Sequence, residues 1–229
     1  MTVPAVYQIE TTNACNLTCS FCPLFEPWNE RAKGFMDPDL IDRVDWSGTN
    51  YTELQFTGEP TLHKRLQEII ERVKAKGVRV GFSTNGTFKE RLGKVLPLAD
   101  AVTVNDDDFR DPVFADRPNV LVQQLGVTYE IEDYSRTVRV DPYPSCTTPI
   151  SHVSIHWNGD VVPCCKDHSG VNVFGNLYSE TFDQIANGAK RAAFLALAAA
   201  KEDNGLCEWC CAPNPHEIHS KILKALEAK

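Results

Sequence analysis

The sequence has no uninterrupted apolar run near the ~20 residues needed to span a bilayer. Its opening, MTVPAVYQIE, lacks the basic segment, apolar core and small-residue cleavage site of a secretory signal. These two absences argue against membrane insertion and export, and the expected location is the cytoplasm. Positive charge is also short: 23 Lys and Arg against 31 Asp and Glu leave a formal net charge of -8. That balance opposes tight sequence-independent binding to duplex nucleic acid, where neutralised phosphates supply the affinity. Basic side chains gather between residues 63 and 79 as Lys64, Arg65, Arg72, Lys74, Lys76 and Arg79, a pattern that usually marks a solvated helix face. An even complement of cysteine is missing too. Nine cysteines cannot all pair internally, and a reducing cytosol disfavours disulfides, so metal binding becomes the leading use for them.

What is present is an ordinary globular composition, 42% hydrophobic and 24% charged over 229 residues, enough for one domain with a small appendage. Six runs rich in β-formers, at 5–10, 53–57, 79–83, 101–105, 120–125 and 137–140, alternate with helical or turn segments, the pattern of parallel strands joined by crossovers. Between the second and third lies the clearest helix, 64–76, with Leu66, Ile69, Ile70 and Val73 at helical spacing and Gly77 as its stop. The stretch 109–119 carries Pro112 and Pro118, so some crossovers shrink to turns and the sheet should be an open, partial barrel. The proline-rich DPYPSC, 141–146, reads as a boundary. Beyond it, 153–157 and 160–163 flank Asn158-Gly159 as a hairpin, and a helix is expected over 179–201, capped by Ser179 or Thr181. The expected domains are 1–141, 142–215 and a terminal helix 216–229.

Residues 10–23 read ETTNACNLTCSFCP and place Cys15, Cys19 and Cys22 on one loop directly after a strand. Iron-sulfur clusters usually take four thiolates, so a set of three leaves one iron open to an outside ligand. A structural zinc site completed by a distant His is the alternative reading. CxxxCxxC with an aromatic, Phe21, before the last cysteine resembles the signature of radical S-adenosylmethionine (SAM) enzymes. The resemblance implies a partial (β/α)6 TIM-like barrel and a 4Fe-4S cluster held by Cys15, Cys19 and Cys22. It also implies SAM chelated to the open iron and cleaved to a 5'-deoxyadenosyl radical, with an electron from a donor such as flavodoxin or ferredoxin. Thr57-Gly58-Glu59-Pro60 resembles the family's GGEP segment with Thr57 in place of the first Gly, although Gly-Glu-Pro by itself also suits a strand-ending turn. Ser83-Thr84-Asn85-Gly86 resembles a second segment near the methionine and ribose. The resemblance thus assigns Phe21, Gly58, Glu59, Pro60, Ser83, Thr84 and Asn85 to the cofactor. Asn105 and Asp106, at the end of the fourth strand, join them, though Asp106 to Asp108 also suits a solvated turn or helix cap.

Cys146 is followed by twelve residues, Gly159, four more residues and Cys164, and later by the pair Cys207 and Cys210. Four thiolates suffice for a second cluster, and for a zinc ribbon equally. CX12GX4C then CX2C, with FGNLYSETFDQIANG between, resembles the SPASM and twitch extensions of radical SAM enzymes. The shorter twitch type implies one auxiliary 4Fe-4S cluster on Cys146, Cys164, Cys207 and Cys210, in a small domain of β-hairpin plus helix. Cys165 and Cys211 stand beside proposed ligands without an assigned role, and His152, His156, His168, His216 and His219 are assigned none.

Three substrate classes follow from the resemblance. The leading expectation is an amino-acid-modified thymine in phage DNA, isomerised or rearranged by a compact phage-encoded enzyme in the host cytoplasm. The others are oxidation of a small-molecule alcohol, as in an aminocyclitol dehydrogenase, and modification of a ribosomal peptide. A non-catalytic iron-sulfur or zinc module is the reading of a different class. No catalytic side chain is assigned.

Overall fold

The computed structural model describes residues 3–20, 22–27, 29–105, 119–123, 148–200, 202 and 204–207. Its centre is a single sheet of eight strands: β1 (Ala5–Ile9), β2 (Tyr51–Glu53), β3 (Arg79–Thr84), β4 (Ala101–Asn105), β5 (Val120–Gln123), β6 (His152–Ile155), β7 (Asp160–Val162) and β8 (Gly175–Asn176). The order is β5-β4-β3-β2-β1-β6-β7-β8, with β1 to β6 parallel and β7 and β8 antiparallel. The mixed α/β partial barrel expected from sequence is therefore present. The expected strand at 137–140 and helix at 216–229 lie outside the described residues.

Alternation along the strands decides which face is buried by what. Val6, Ile9, Val80, Phe82, Val102, Val104, Val153 and Ile155 are all at most 1% exposed and form one cluster with the outer elements. Helix α1 (Leu66–Ala75) lays Leu66, Ile69, Ile70 and Val73 onto that face. It stops at Gly77, whose φ of +80° is open to glycine at little cost and whose N–H returns to the Lys74 carbonyl.

Four features depart from the sequence reading. Strand β2 was expected at 53–57 but pairs only over Tyr51–Glu53. The ladder ends because the Ser83 N–H turns to the Gln55 side chain, at 3.0 Å, instead of a backbone carbonyl. Residues 55–57 are thereby released into the loop above the sheet. A helix α2 (Lys89–Val95), unanticipated because Gly93 interrupts its pattern, fills the β3–β4 crossover with Leu92 and Val95 inward.

The 158–159 hairpin forms, turned by Gly159 at φ +86°, but it is no separate appendage. After the short α3 (Thr148–Ser151), strand β6 pairs in parallel with β1, so the barrel sheet continues into the hairpin. The helix expected over 179–201 is broken in two, α4 (Phe182–Ala186) and α5 (Ala189–Ala200). Thr181 caps α4 in a reciprocal capping box with Gln184. The break comes where the buried Arg191 turns inward and donates to the Ala186 carbonyl at 3.0 Å and to that of Ile150 at 2.7 Å. A cation is thereby held at two helix C-termini, the end that favours it.

Candidate active site

All the chemistry-bearing loops leave the C-terminal ends of the parallel strands, the end at which α/β barrels carry their sites. The loop after β1 carries the three cysteines. Its base is stapled: Thr12 bridges to Phe35, the Met36 N–H donates to Thr11, and the Asn13 side chain donates to the Ala32 carbonyl and accepts from the Gly34 N–H, both at 2.8 Å. Residues 14–31 thus form a closed excursion. The loop after β2 packs beneath it at Gly58, where an added Cβ would come within 2.1 Å of the Thr12 carbonyl oxygen.

Together these loops line a cavity of about 140 Å³. Cys15, Cys19, Cys22, Gly58, Glu59, Ser83, Thr84, Asn85 and Asn105, all singled out from sequence, line it together. Pro60 does not. It starts the buried 3-10 turn Pro60–Leu62, where a fixed φ and a missing N–H are tolerated. Phe21, Asp106, Cys146 and Cys210, with Cys211, lie outside the described residues.

Glu59 uses both carboxylate oxygens within the protein. One accepts from the Thr61 N–H at 2.9 Å and the Thr84 hydroxyl at 2.7 Å, the other from the Asn85 N–H at 2.8 Å. It therefore locks the loops after β2 and β3 together. Asn85 in turn donates to Asn16 at 3.1 Å and, at 3.9 Å, to the Cys15 sulfur, which also accepts from the Leu17 N–H at 3.4 Å. Burial pushes the Cys15 and Cys22 thiols up from their ordinary values. Among the described residues no three Cys, His, Asp or Glu side chains close on a single metal ion. A 4Fe-4S cluster makes no such demand, since each thiolate takes a different iron, and three sulfurs around one cavity with N–H donors on Cys15 fit that group.

Three participants were not foreseen. Glu10, fully buried, ion-pairs with Arg31 and accepts from the Thr57 hydroxyl at 2.8 Å and the Trp157 N–H at 3.2 Å. Arg31 also donates to the His168 carbonyl at 3.1 Å, so one buried pair joins the cysteine loop, the β2 loop and the hairpin region. Thr57, the departure from the family segment, is what reaches Glu10. His168 is the third, and it lines the same cavity as the cysteines.

A tight turn puts His168 there. The Asp167 carboxylate accepts from the Val171 and Asn172 N–H groups, both at 2.8 Å, and Gly170 adopts φ +70°. The His168 ring lies edge-on to Phe56 at 5.5 Å, and burial pushes its pKa down to about 3, leaving a neutral imidazole. No pattern in DHSG distinguishes it from a surface turn. Cys164 precedes this turn, and the buried Cys207 is held by the Asn204 side chain, which accepts its N–H at 2.8 Å.

A partial parallel barrel with a three-cysteine loop at its mouth, followed by a cysteine-bearing hairpin, defines an iron-sulfur enzyme of the radical-generating class. The comparisons agree: residues 9–139 match the radical SAM superfamily and residues 146–212 match SPASM, an iron-sulfur cluster-binding domain. The chain belongs to the radical SAM superfamily. Membership implies a 4Fe-4S cluster and SAM, and the second match implies auxiliary iron-sulfur binding.

Among curated relatives, a tungsten-containing aldehyde ferredoxin oxidoreductase cofactor-modifying protein of Pyrococcus furiosus is 37% identical over 85 residues, 35% of this chain and 23% of that protein. A GTP 3',8-cyclase of Streptomyces coelicolor is 33% identical over 116 residues, 47% of this chain and 34% of that one. The match thus spans 23% and 34% of these relatives. The crystal structure of BtrN in complex with AdoMet and 2-DOIA has the same fold, with a TM-score of 0.73 at 22% identity over 92% of this chain and 94% of that chain. No helix among the described residues is long and apolar enough to cross a membrane.

Proposed function

We propose that this radical SAM enzyme abstracts hydrogen from a small polar alcohol and oxidises it to a carbonyl compound. The observation that carries the reading is the single small cavity shared by Cys15, Cys19, Cys22, Glu59, Asn85, Asn105 and His168. Cys15, Cys19 and Cys22 hold the cluster that, with an external reductant such as flavodoxin or ferredoxin, supplies the electron for SAM cleavage. Cys146, Cys164, Cys207 and Cys210 hold the second cluster. Gly58, Ser83, Thr84, Asn85 and Asn105 bind SAM. Glu59, its oxygens already engaged, acts as a positioning residue.

SAM bound at the cluster held by Cys15, Cys19 and Cys22 would supply the radical that removes hydrogen from the carbinol carbon. Loss of the hydroxyl proton to solvent and of one further electron, for which the second cluster would be the acceptor, would complete the oxidation to C=O. His168, held neutral by burial, lines the cavity and is placed to hydrogen-bond the substrate hydroxyl without taking its proton. The near full-length fold likeness to a protein crystallised with AdoMet and 2-DOIA supports a small-molecule substrate. An amino-acid-modified thymine in DNA draws no support from the relatives named above, and a net charge of -8 counts against it.

The test is anaerobic incubation of reconstituted, reduced protein with SAM and an aminocyclitol deuterated at the carbinol carbon. Deuterated 5'-deoxyadenosine and ketone should appear one to one. 5'-Deoxyadenosine without deuterium across a panel of small polyols would overturn the oxidation reading.

A further inference from the structure

Directly beneath the cavity, the inner face of the sheet carries a row of polar side chains where a filled barrel would hold bulky apolar ones. The register places Ser154 of β6, Gln8 of β1, Glu53 of β2 and Gly81 of β3 side by side. In-register neighbours on adjacent strands share a face. Their sequence neighbours Val153, Ile155, Ile9, Leu54, Val80 and Phe82 belong to the outer core. Ser83, two residues beyond Gly81 on the same strand, lines the cavity, so the row lies about 6.6 Å below it.

The row is short of donors. Gln8 Oε1 and Ser154 Oγ are buried and have no hydrogen-bond partner among the described residues. Glu53 accepts from the Tyr51 hydroxyl, and none of the ion pairs among the described residues includes it. Gly81 makes room for that hydroxyl, since a Cβ there would overlap it at 1.9 Å. Buried carboxylates and amide oxygens are ordinarily satisfied, because leaving them bare costs stability. Burial pushes the Glu53 pKa up to about 7, so a positive group beside it would be needed to hold it fully ionised.

We propose that Glu53, Gln8 and Ser154 form the substrate-recognition row of the enzyme and bind a primary ammonium group on a small polyhydroxylated substrate. An ammonium offers three donors and a positive charge, which matches three oxygens one of which belongs to a carboxylate. The row spans about 10 Å across two strand spacings, the dimension of one small ring. Its three side chains are buried, two residues along the strands from the cavity-lining Ser83. The inference rests on the small-molecule reading above and names its substrate class.

The test is equilibrium binding to the anaerobically reconstituted, SAM-loaded protein without reductant, so that no turnover is involved. The probes are an aminocyclitol and its counterpart with a hydroxyl in place of the amine. The amine should bind the parent protein at least 30-fold more tightly than the hydroxyl compound. Glu53→Gln should remove that preference, and Ser154→Ala should weaken amine binding three- to tenfold, with SAM affinity unchanged in both. Thermal melts establish that each variant is folded, and Ser154→Ala carries the test if Glu53→Gln is not. Equal binding of the two probes, or no binding of either, would mean that the row holds only ordered water and would overturn the proposal. Glu53-dependent amine binding without oxidation would leave this inference standing and remove the oxidation reading. Oxidation of the amine by Glu53→Gln with parental affinity and rate would do the reverse.

Discussion

At the scale of single residues, the site is governed by buried groups whose charge state is set by their surroundings. His168 is the clearest. Its unfolded-state pKa is near 6.5 and its folded value is pushed down to about 3 by burial, with Lys166, His156 and Arg31 adding to the shift. The unfolded chain therefore takes up a proton that the folded chain refuses. Stability from this group is complete above pH 6.5 and is lost progressively as pH falls toward 3. His156, also depressed by burial, acts in the same direction. Urea denaturation across pH 4 to 7.5 should show an acid-side loss that is visibly flatter in His168→Asn, and an unchanged slope in that variant would contradict the burial argument. Glu53 has the opposite sign: a carboxyl raised from 4.5 to about 7 favours the folded state below pH 4.5 and ceases to do so as pH rises through 7.

At the scale of elements, what could be read from sequence depended on whether the signal was local. α1 has four apolar residues at helical spacing and a glycine stop, and it formed within two residues of its expected ends. β4 formed at its expected bounds, because AVTVN is a continuous β-forming run. β2 did not, since its length was settled by the Gln55 side chain capturing a β3 amide, a contact between residues 28 apart. The break between α4 and α5 was hidden for the same reason: it depends on Arg191 finding the carbonyls of Pro149 and Ile150, far away in sequence.

The cysteine loop itself was legible from its spacing. The Asn13 staple and the Glu10–Arg31 pair beneath it were not, because their partners lie about twenty residues on. The close seat of that loop on Gly58 is testable. Gly58→Ala would force the Thr12 carbonyl aside, so this variant should reconstitute with at most half the parental iron at the SAM-cleaving cluster while its far-ultraviolet circular dichroism is retained. Full iron loading would show that the loop can yield.

At the scale of the whole molecule, the two family matches are joined by one sheet. β6 pairs with β1 at Ala5, Val6, Gln8 and Ile9, and Val153, Ile155, Val161, Phe174 and Phe194 complete the same apolar cluster as α1 and β3. Burying a Val, Ile or Phe contributes roughly 1.5–3 kcal/mol relative to exposure, so loss of these five is comparable with a domain's whole usual margin. A fragment ending at residue 147 should fail to give a soluble, cooperatively melting protein. A fragment that melts at the parental temperature would show that the two regions fold independently. The shared sheet also explains how His168 and Ser154, from the hairpin region, meet Cys15 and Glu53, from the barrel, around one cavity and its floor.

The central claim is that this cavity makes a 5'-deoxyadenosyl radical, and one measurement addresses it most directly. Anaerobically reconstituted protein, reduced with dithionite and mixed with SAM, should release 5'-deoxyadenosine. The Cys15→Ala/Cys19→Ala/Cys22→Ala variant should release none while keeping the iron of the second cluster. Absence of 5'-deoxyadenosine from the fully iron-loaded parent, or equal release by the triple variant, would contradict the account.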